Sequence, residues 1–263
     1  MGLTLKDSMI HPTTKAPKMD IDEFRRAAHE LVDWMGDYLR DIEDYPVRAR
    51  ATPGEILAQL PSAPPDKSVS FDKVFDDFKE IIVPGMTHWQ HPSFFAYFPA
   101  NSSPASVLAE MITATLGAQC MSWETSPAAA ELEQCTMEWL RQMIGLPSDF
   151  EGVIQDSAST ATLCAILSAR ERASKWRVNE SGLRGENDMV VYGSSECHSS
   201  VEKAVKIAGL GRHNFHKVSV DENFGMDPRA LAHYIMVDKA SGKTPICVVA
   251  ALGSTGSSAI DPL

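Results

Sequence analysis

The most constraining feature of the sequence is a regular alternation of short apolar segments with amphipathic ones towards its carboxyl end. The apolar segments are MVVYG (189–193), HKVSV (216–220) and ICVVAALG (246–253), which have the length and β-branched content of buried strands. The segments between them, 199–208 and 228–239, have helical spacing. Because parallel strands are joined by crossover connections that are usually helices, the pattern predicts a mostly parallel sheet covered by helices on both faces.

Upstream of this region the sequence predicts isolated helices rather than strands. One helix begins at Asp20 or Asp22 and a second spans Phe71–Ile82, with a proline-rich connector between them that holds one short helix near Glu55–Leu60. Two helices so far apart in sequence rarely form a core alone. We therefore expect a second subunit to cover their apolar side chains, which include Trp34, Met35, Phe75 and Phe78.

Further helices are predicted near 104–117, 127–144 and 159–175. Predicted helices and strands therefore follow one another more closely after about residue 85 than before it. The predicted organisation has three regions. Residues 1–18 form a mobile leader, residues 19–85 a helical segment that packs on a partner subunit, and residues 86–263 the first part of a large α/β domain.

Charge and cysteine content exclude several classes of function. The formal net charge of -11 argues against nucleic acid or an anionic membrane surface as the main partner. No apolar stretch approaches the roughly 20 residues that span a bilayer. The five cysteines are widely spaced without a C-x-x-C pair, which indicates reduced thiols in a cytoplasmic protein. The H-x-x-H pairs His88/His91 and His213/His216 lack a third ligand, so no metal site is predicted.

The segment VIQDSASTATLCAILSAR (153–170) places Ser157, Ala158 and Ser159 where a helix begins. One interpretation is an ordinary serine N-cap. The other is that the first turn of the helix holds an anion, because its free N–H groups and dipole favour negative charge. The small side chains permit close approach, and without glycine-rich dinucleotide spacing a single phosphate fits better than a pyrophosphate.

Two more polar turns follow predicted strands. His198 lies in YGSSECHSSVEKA, just before a helix capped by Ser199 or Ser200, and Ser254 lies in ALGSTGSS. Ligands of parallel α/β sheets bind at the carboxyl ends of the strands, which makes His198 and Ser254 candidate site residues. A solvated or helix-capping histidine is the alternative for His198.

The segment HWQHPSFFAYFPANSSPAS (88–106) combines many aromatic residues with three prolines. Aromatic clusters are usually core, but prolines preclude a regular helix here. Several rings are therefore expected on irregular backbone, where binding pockets are often built.

Five segments together resemble the group II pyridoxal-phosphate (PLP) decarboxylases, and among them the aromatic-L-amino-acid decarboxylases. These segments are VPGMTHWQHPSFFAYFP, SWETSPAAAELE, GVIQDSASTATLCAILSAR, CHSSVEKA and ALGSTGSSAIDPL. The resemblance extends from about residue 19 to the end. It implies an α/β, type I PLP-dependent transferase-like fold, here incomplete, with an N-terminal helical segment for dimerisation.

The resemblance also implies roles for individual residues. Ala158 and Ser159 would bind the phosphate of PLP with Ser157 beside them, which favours the anion over the simple cap. His198 would stack on the pyridine ring and take part in substrate protonation or orientation, and Ser254 would lie near the ring. The implied substrate pocket is lined by Trp89, Tyr97, Phe98, Pro99 and Ala100, with Gln119 and Met121 reaching across from the neighbouring subunit.

The implied function is decarboxylation of an aromatic or imidazole L-amino acid to its amine and CO2 by a cytoplasmic homodimer with its active site at the subunit interface. Ala100 stands where many relatives have Thr, which puts a catechol substrate in doubt. The chain stops at SAIDPL, before the ring-nitrogen aspartate and the Schiff-base lysine of the family, so we expect it to be inactive alone. The alternatives are a non-catalytic fragment that binds PLP or a subunit, an aldehyde synthase, and a decarboxylase of acidic amino acids.

Overall fold

The computed structural model describes residues 19–98 and 102–262. The predicted leader, residues 1–18, lies outside the described residues. The chain divides into two compact units, one ending at Leu108 and the other beginning at Ala109. The predicted boundaries at residues 18 and 85 stay predictions.

The first unit begins with helix α1 (Ile21–Arg40). Asp20 caps this helix, since its carboxylate accepts the backbone N–H groups of Asp22 and Glu23 at 2.9 and 2.8 Å. Asp22 and Glu23 in the first turn and Arg40 in the last complement the helix dipole. The connector contains two single-turn 3-10 helices, Ile42–Asp44 and Leu57–Gln59, the second within the predicted short helix.

Helix α2 (Phe71–Asp77) continues through a π-helical turn (Phe78–Ile82) and a 3-10 turn (Val83–Gly85). An aromatic cluster joins it to α1. The ring of Trp34 lies 5.9 Å from that of Phe75 and 5.2 Å from that of Phe78, both edge-on. Phe75 is consequently buried, and Trp34 and Phe78 are half-buried. This contact covers part of the apolar faces, while Phe24, Val32 and Val74 stay exposed, and packing of residues 19–85 on a partner subunit stays a prediction.

The second unit contains a three-stranded parallel sheet in the order β2-β1-β3. Its strands are β1 (Met189–Ser194), β2 (Phe215–Val218) and β3 (Thr244–Val249). The central strand pairs Ser194 with Val218 on one side and Gly193 with Val249 on the other. The carboxyl ends of all three strands therefore meet at one edge of the sheet.

Helices cover both faces of this sheet, as the sequence predicts. Alternate residues of β1 point to opposite faces. Met189 and Val191 pack in a core with helices α5 (Ala158–Ser174) and α7 (Ser200–Ile207). Val190 and Tyr192 pack in a second core against helix α8 (Pro228–Ala240). The whole of β1 is buried, which explains why its sequence is an uninterrupted apolar run.

The remaining helices lie close to their predicted positions. They are α3 (Pro104–Leu116), α4 (Pro127–Met143), α5 (Ala158–Ser174), α7 (Ser200–Ile207) and α8 (Pro228–Ala240). A further short helix, α6 (Arg177–Ser181), is not predicted by the sequence. Strand β3 ends at Val249 rather than at residue 253, because residues 251–261 fold back on themselves. Leu252 pairs with Ile260 in an antiparallel bridge that replaces the end of the predicted strand.

Candidate functional site

The amino terminus of α5 leaves two backbone donors free. Ser157 caps the helix, and its hydroxyl accepts the N–H of Thr160 at 3.2 Å. Within the described parts of the chain, the N–H groups of Ala158 and Ser159 make no hydrogen bond. Both residues are exposed, and no hydrogen bond engages the Ser159 hydroxyl there either. The turn thus combines a capped helix with unpaired donors, the arrangement that binds anions.

His198 is held by the residue that starts the next helix. Its Nδ1 lies 2.9 Å from Oγ of Ser200 and accepts the backbone N–H of Ser200 at 3.2 Å. Ser200 is 7% exposed, whereas His198 is exposed. The imidazole is therefore anchored at one nitrogen while the rest of the ring is accessible to a ligand.

A cavity of about 180 Å³ connects α5 with α7. Ser159 and Thr160 contribute from α5, and Ser200 and Lys203 contribute from α7. Because α7 follows β1, this cavity places the start of α5 at the carboxyl edge of the sheet. Ser200 links the two features, since it lines the cavity beside Ser159 and also contacts His198.

Ser254 lies in the loop that leaves β3 at the same edge. Its side chain is buried, and its hydroxyl lies 2.6 Å from that of Ser257. The buried carboxylate of Asp261 closes this loop by accepting the N–H of Ala251 at 2.7 Å and that of Met226 at 2.8 Å. Ser254 is thus presented by a loop that is fixed at its base.

The predicted substrate residues fall in both units. In the first unit, the ring of Trp89 stacks on those of Phe94 and Tyr97, with centroids 4.7 and 5.6 Å apart. Tyr97 has a φ of 57°, a strained value for a residue with a side chain, on the irregular backbone that the prolines predict. Phe98 is 69% exposed. Pro99 and Ala100 lie outside the described residues.

Gln119 and Met121 belong to the second unit. Both are exposed, and Met121 has 78% of its surface accessible. The amide of Gln119 donates to the carbonyl of Gly117 at 3.4 Å. These two side chains are free to meet another surface, as their predicted role across a subunit interface requires.

Two contributors were not singled out by the sequence. The sequence predicts Ser200 only as a helix cap and predicts no role for Lys203. The signal for Ser200 is the spacing H-x-S before a helix, which lets a serine reach back to the ring. Lys203 follows one helical turn later, so it lies on the same face of α7 as Ser200.

Among the described residues, no cluster of three or more His, Cys, Asp or Glu side chains could hold a metal ion. In the same part of the chain, no helix is both long and apolar enough to cross a membrane. The cysteines Cys120, Cys135, Cys164, Cys197 and Cys247 are free thiols. Burial raises the pKa of the Cys197 and Cys247 thiols, so both are held as neutral core groups.

Solved structures define the class of the protein. The chain superimposes with a TM-score of 0.86 on Catharanthus roseus tryptophan decarboxylase in complex with L-tryptophan, at 36% identity, covering 93% of this chain and 52% of that one. It matches Oryza sativa TDC with PLP and tryptamine equally well, with a TM-score of 0.86 at 33% identity, covering 93% and 52%. The fold is therefore that of a PLP-dependent decarboxylase.

Sequence comparison gives the family. The pyridoxal-dependent decarboxylase conserved domain matches residues 53–263. Tryptophan decarboxylase 2 of Oryza sativa subsp. japonica is 41% identical over 253 residues, which are 93% of this chain and 50% of that protein. Phenylacetaldehyde synthase of Arabidopsis thaliana is 40% identical, covering 93% and 51%. The chain belongs to the group II PLP-dependent decarboxylase family. It spans about half the length of these relatives.

The donors at the start of α5 fit the cofactor of this family. A phosphate needs several hydrogen-bond donors in a small concave site, and the free N–H groups of Ala158 and Ser159 beside the cavity meet that need. Lys203 adds a cation on the wall of the cavity. The exposed face of His198 leaves room for a flat ring at the same edge of the sheet.

Proposed function

We propose that the chain belongs to an enzyme that decarboxylates an aromatic L-amino acid, or histidine with its imidazole ring, to the corresponding amine and CO2 with PLP as cofactor. The observation that carries this proposal is that a helix start with unpaired N–H donors and an exposed, anchored histidine lie at one edge of a parallel sheet. Membership of the PLP-dependent decarboxylase family supports the choice of cofactor.

The start of α5 is assigned to the phosphate of PLP. The N–H groups of Ala158 and Ser159 and the hydroxyl of Ser159 are the proposed donors. Ser157 has a different task, because its oxygen already accepts the N–H of Thr160 and so stabilises the turn that presents these donors. The helix cap and the anion site then belong to different residues: Ser157 is the cap, and Ala158 and Ser159 are the proposed anion site.

His198 is assigned to the ring and to the substrate. The bound cofactor supplies an electron-withdrawing ring that stabilises negative charge left on the substrate after CO2 departs. The proposed contribution of His198 is to lie against the ring face and to hold or deliver a proton through Nε2. Ser254, on its closed loop, is assigned to the edge of the ring.

The aromatic stack of Trp89 and Tyr97, together with Phe98, Pro99 and Ala100, is assigned to recognition of the substrate side chain. Planar apolar surfaces favour an aromatic ring over a carboxylate, which supports an aromatic substrate rather than an acidic one. Gln119 and Met121 are assigned to the pocket of a neighbouring subunit in a homodimer. The free cysteines support a cytoplasmic location.

Two alternatives rest on specific observations. Aldehyde synthesis on the same fold is a candidate because a relative 40% identical to the chain is a phenylacetaldehyde synthase. Binding of PLP without turnover by residues 1–263 is the second. The His-Lys pair present here, His216-Lys217, lies in strand β2, where the Lys217 ammonium is paired with Glu202 at 3.3 Å, so we assign the covalent link to the cofactor to none of the twelve lysines.

The experiment is to incubate the purified chain with PLP and, in turn, tryptophan, tyrosine, histidine and glutamate, while measuring CO2, amine and aldehyde. Borohydride reduction followed by peptide mass spectrometry then locates any covalently bound cofactor. We expect reversible binding of PLP with no steady release of CO2. A single lysine labelled stoichiometrically, together with turnover, would contradict the expectation that residues 1–263 bind PLP reversibly.

A further inference from the structure

We propose that Ser200 is a positioning residue that sets which nitrogen of His198 carries the proton. The inference rests on the proposed function, because His198 is the residue assigned there to the cofactor ring and the substrate. It adds a residue to which the sequence assigned only a possible helix cap.

The hydrogen-bond geometry determines the tautomer. The backbone N–H of Ser200 points to Nδ1 of His198 at 3.2 Å, and a backbone N–H can only donate. Nδ1 must therefore present its lone pair. A neutral imidazole has one protonated nitrogen, so the proton is on Nε2. The hydroxyl of Ser200, 2.9 Å from Nδ1, then also acts as a donor.

Ser200 is rigidly placed for this task. It is the first residue of α7, and its neighbours Val201 and Ala204 in that helix are buried, at 3% and 2% exposed. Ser200 itself is 7% exposed, so its two donors cannot turn to solvent. The histidine ring is anchored by a residue that belongs to the core.

The other ring nitrogen of His198, Nε2, is available to a ligand. Across residues 19–98 and 102–262, Nε2 makes no hydrogen bond, and the residue is exposed. Two donors on Nδ1 keep the proton on Nε2 before any ligand arrives. The ring is thereby prepared to donate from Nε2 to a substrate carboxylate or to a carbon that must be protonated.

The tautomer can be measured directly by long-range 1H–15N correlation of the imidazole rings in the 15N-labelled chain, without cofactor, at a pH where His198 is neutral. Loss of one set of signals in His198→Ala assigns the ring among the eight histidines of the chain. We expect the pattern of an unprotonated Nδ1 in the wild type. Ser200→Ala should lower the ratio of this tautomer to the other roughly fivefold, the equilibrium equivalent of one neutral hydrogen bond.

Two variants serve as controls. Ser200→Thr keeps the hydroxyl and should keep the ratio. Ser199→Ala makes the same change one residue away, at an exposed serine whose side chain does not cap α7, and should also keep it. A proton on Nδ1 in the wild type overturns the proposal even if the variants fail to fold. An unchanged ratio in Ser200→Ala, or an equal fall in Ser199→Ala, overturns it as well.

This test and that of the proposed function fail separately. If the tautomer is as expected but PLP does not bind, Ser200 still determines the tautomer of His198 and the proposed function is wrong. If PLP binds at the start of α5 while Nδ1 carries the proton, the positioning role of Ser200 is wrong and the cofactor site stands.

Discussion

The carboxylate of Asp261 accepts the backbone N–H of Met226 at 2.8 Å, although 35 residues separate the two in sequence. Its other oxygen accepts the N–H of Ala251 at 2.7 Å. Asp261 is 3% exposed, so neither donor has water as a substitute. One side chain therefore joins the loop before α8 to the loop after β3, which carries Ser254.

Asp261→Asn should destabilise the second unit. The new amide group cannot accept a hydrogen bond, which leaves one buried N–H without a partner at a cost of about 2 kcal/mol in the free energy of unfolding. Urea denaturation followed by circular dichroism measures the change. Asp227→Asn is the matched control, since Asp227 caps α8 and asparagine caps helices about as well. Equal losses in the two variants would contradict the role given to Asp261.

Ser159→Ala should weaken PLP binding by about tenfold, because a hydrogen bond to a charged phosphate is lost. Equilibrium titration followed by cofactor absorbance gives the dissociation constant. Ser168→Ala is the control on the same helix, where the serine hydroxyl donates to the carbonyl of Cys164 instead of lying at the helix start. Unchanged affinity in Ser159→Ala, or an equal loss in Ser168→Ala, would remove Ser159 from the site.

How far the sequence could predict this structure depends on the range of the interactions. Helix α5 and its cap are encoded within a few residues, by Ser157 followed by helix formers, and were predicted closely. The end of β3 was not, because it is set by the fold-back that pairs Leu252 with Ile260 and by the contact of Asp261 with Met226. No local pattern shows such contacts.

The same distinction applies to the first unit and to the site. The apolar faces of α1 and α2 were recognised, but their contact through Trp34 and Phe75 joins residues about forty positions apart and was missed. His198 was found because it follows a strand. For its partner Ser200 the sequence predicts only a helix cap, since only the folded geometry shows its hydroxyl at Nδ1.

We predict a loss of stability at high pH from the ionisation of Tyr192. Burial raises its pKa, and so does the hydrogen bond that its hydroxyl donates to Asp238 at 2.7 Å. The folded state keeps the proton where an unfolded tyrosine loses it, so this stabilisation is complete below about pH 10 and declines above it. Urea midpoints measured across that pH should fall less steeply in Tyr192→Phe than in the wild type. Tyr234→Phe, at an exposed tyrosine of α8, should keep the wild-type slope, and identical slopes in all three proteins would contradict the prediction.

We predict the opposite pH dependence for His88 in the first unit, with stability lost at low pH. Burial lowers its pKa, with a smaller effect from His91, and Nδ1 of the ring lies 2.8 Å from the hydroxyl of Tyr38. The neutral ring is favoured in the folded state, so its stabilisation is complete above about pH 6.5 and is lost as the pH falls through the lowered pKa. Thermal unfolding should show a smaller loss on acidification in His88→Asn than in the wild type. An identical loss in both, or the same effect from His29→Asn on the exposed side of α1, would refute it.

The most direct test of the proposed phosphate site compares PLP with pyridoxal, which lacks only the phosphate, in 1H–15N amide spectra of the chain. Both aldehydes react with exposed lysines, so shifts common to the two ligands carry no information about the phosphate. We predict that the amide signals of Ala158 and Ser159 move with PLP and with inorganic phosphate but not with pyridoxal, and that the His198 ring signals move with PLP. If PLP leaves the Ala158 and Ser159 amides unmoved while its phosphate-dependent shifts fall elsewhere, the cofactor site proposed here is wrong.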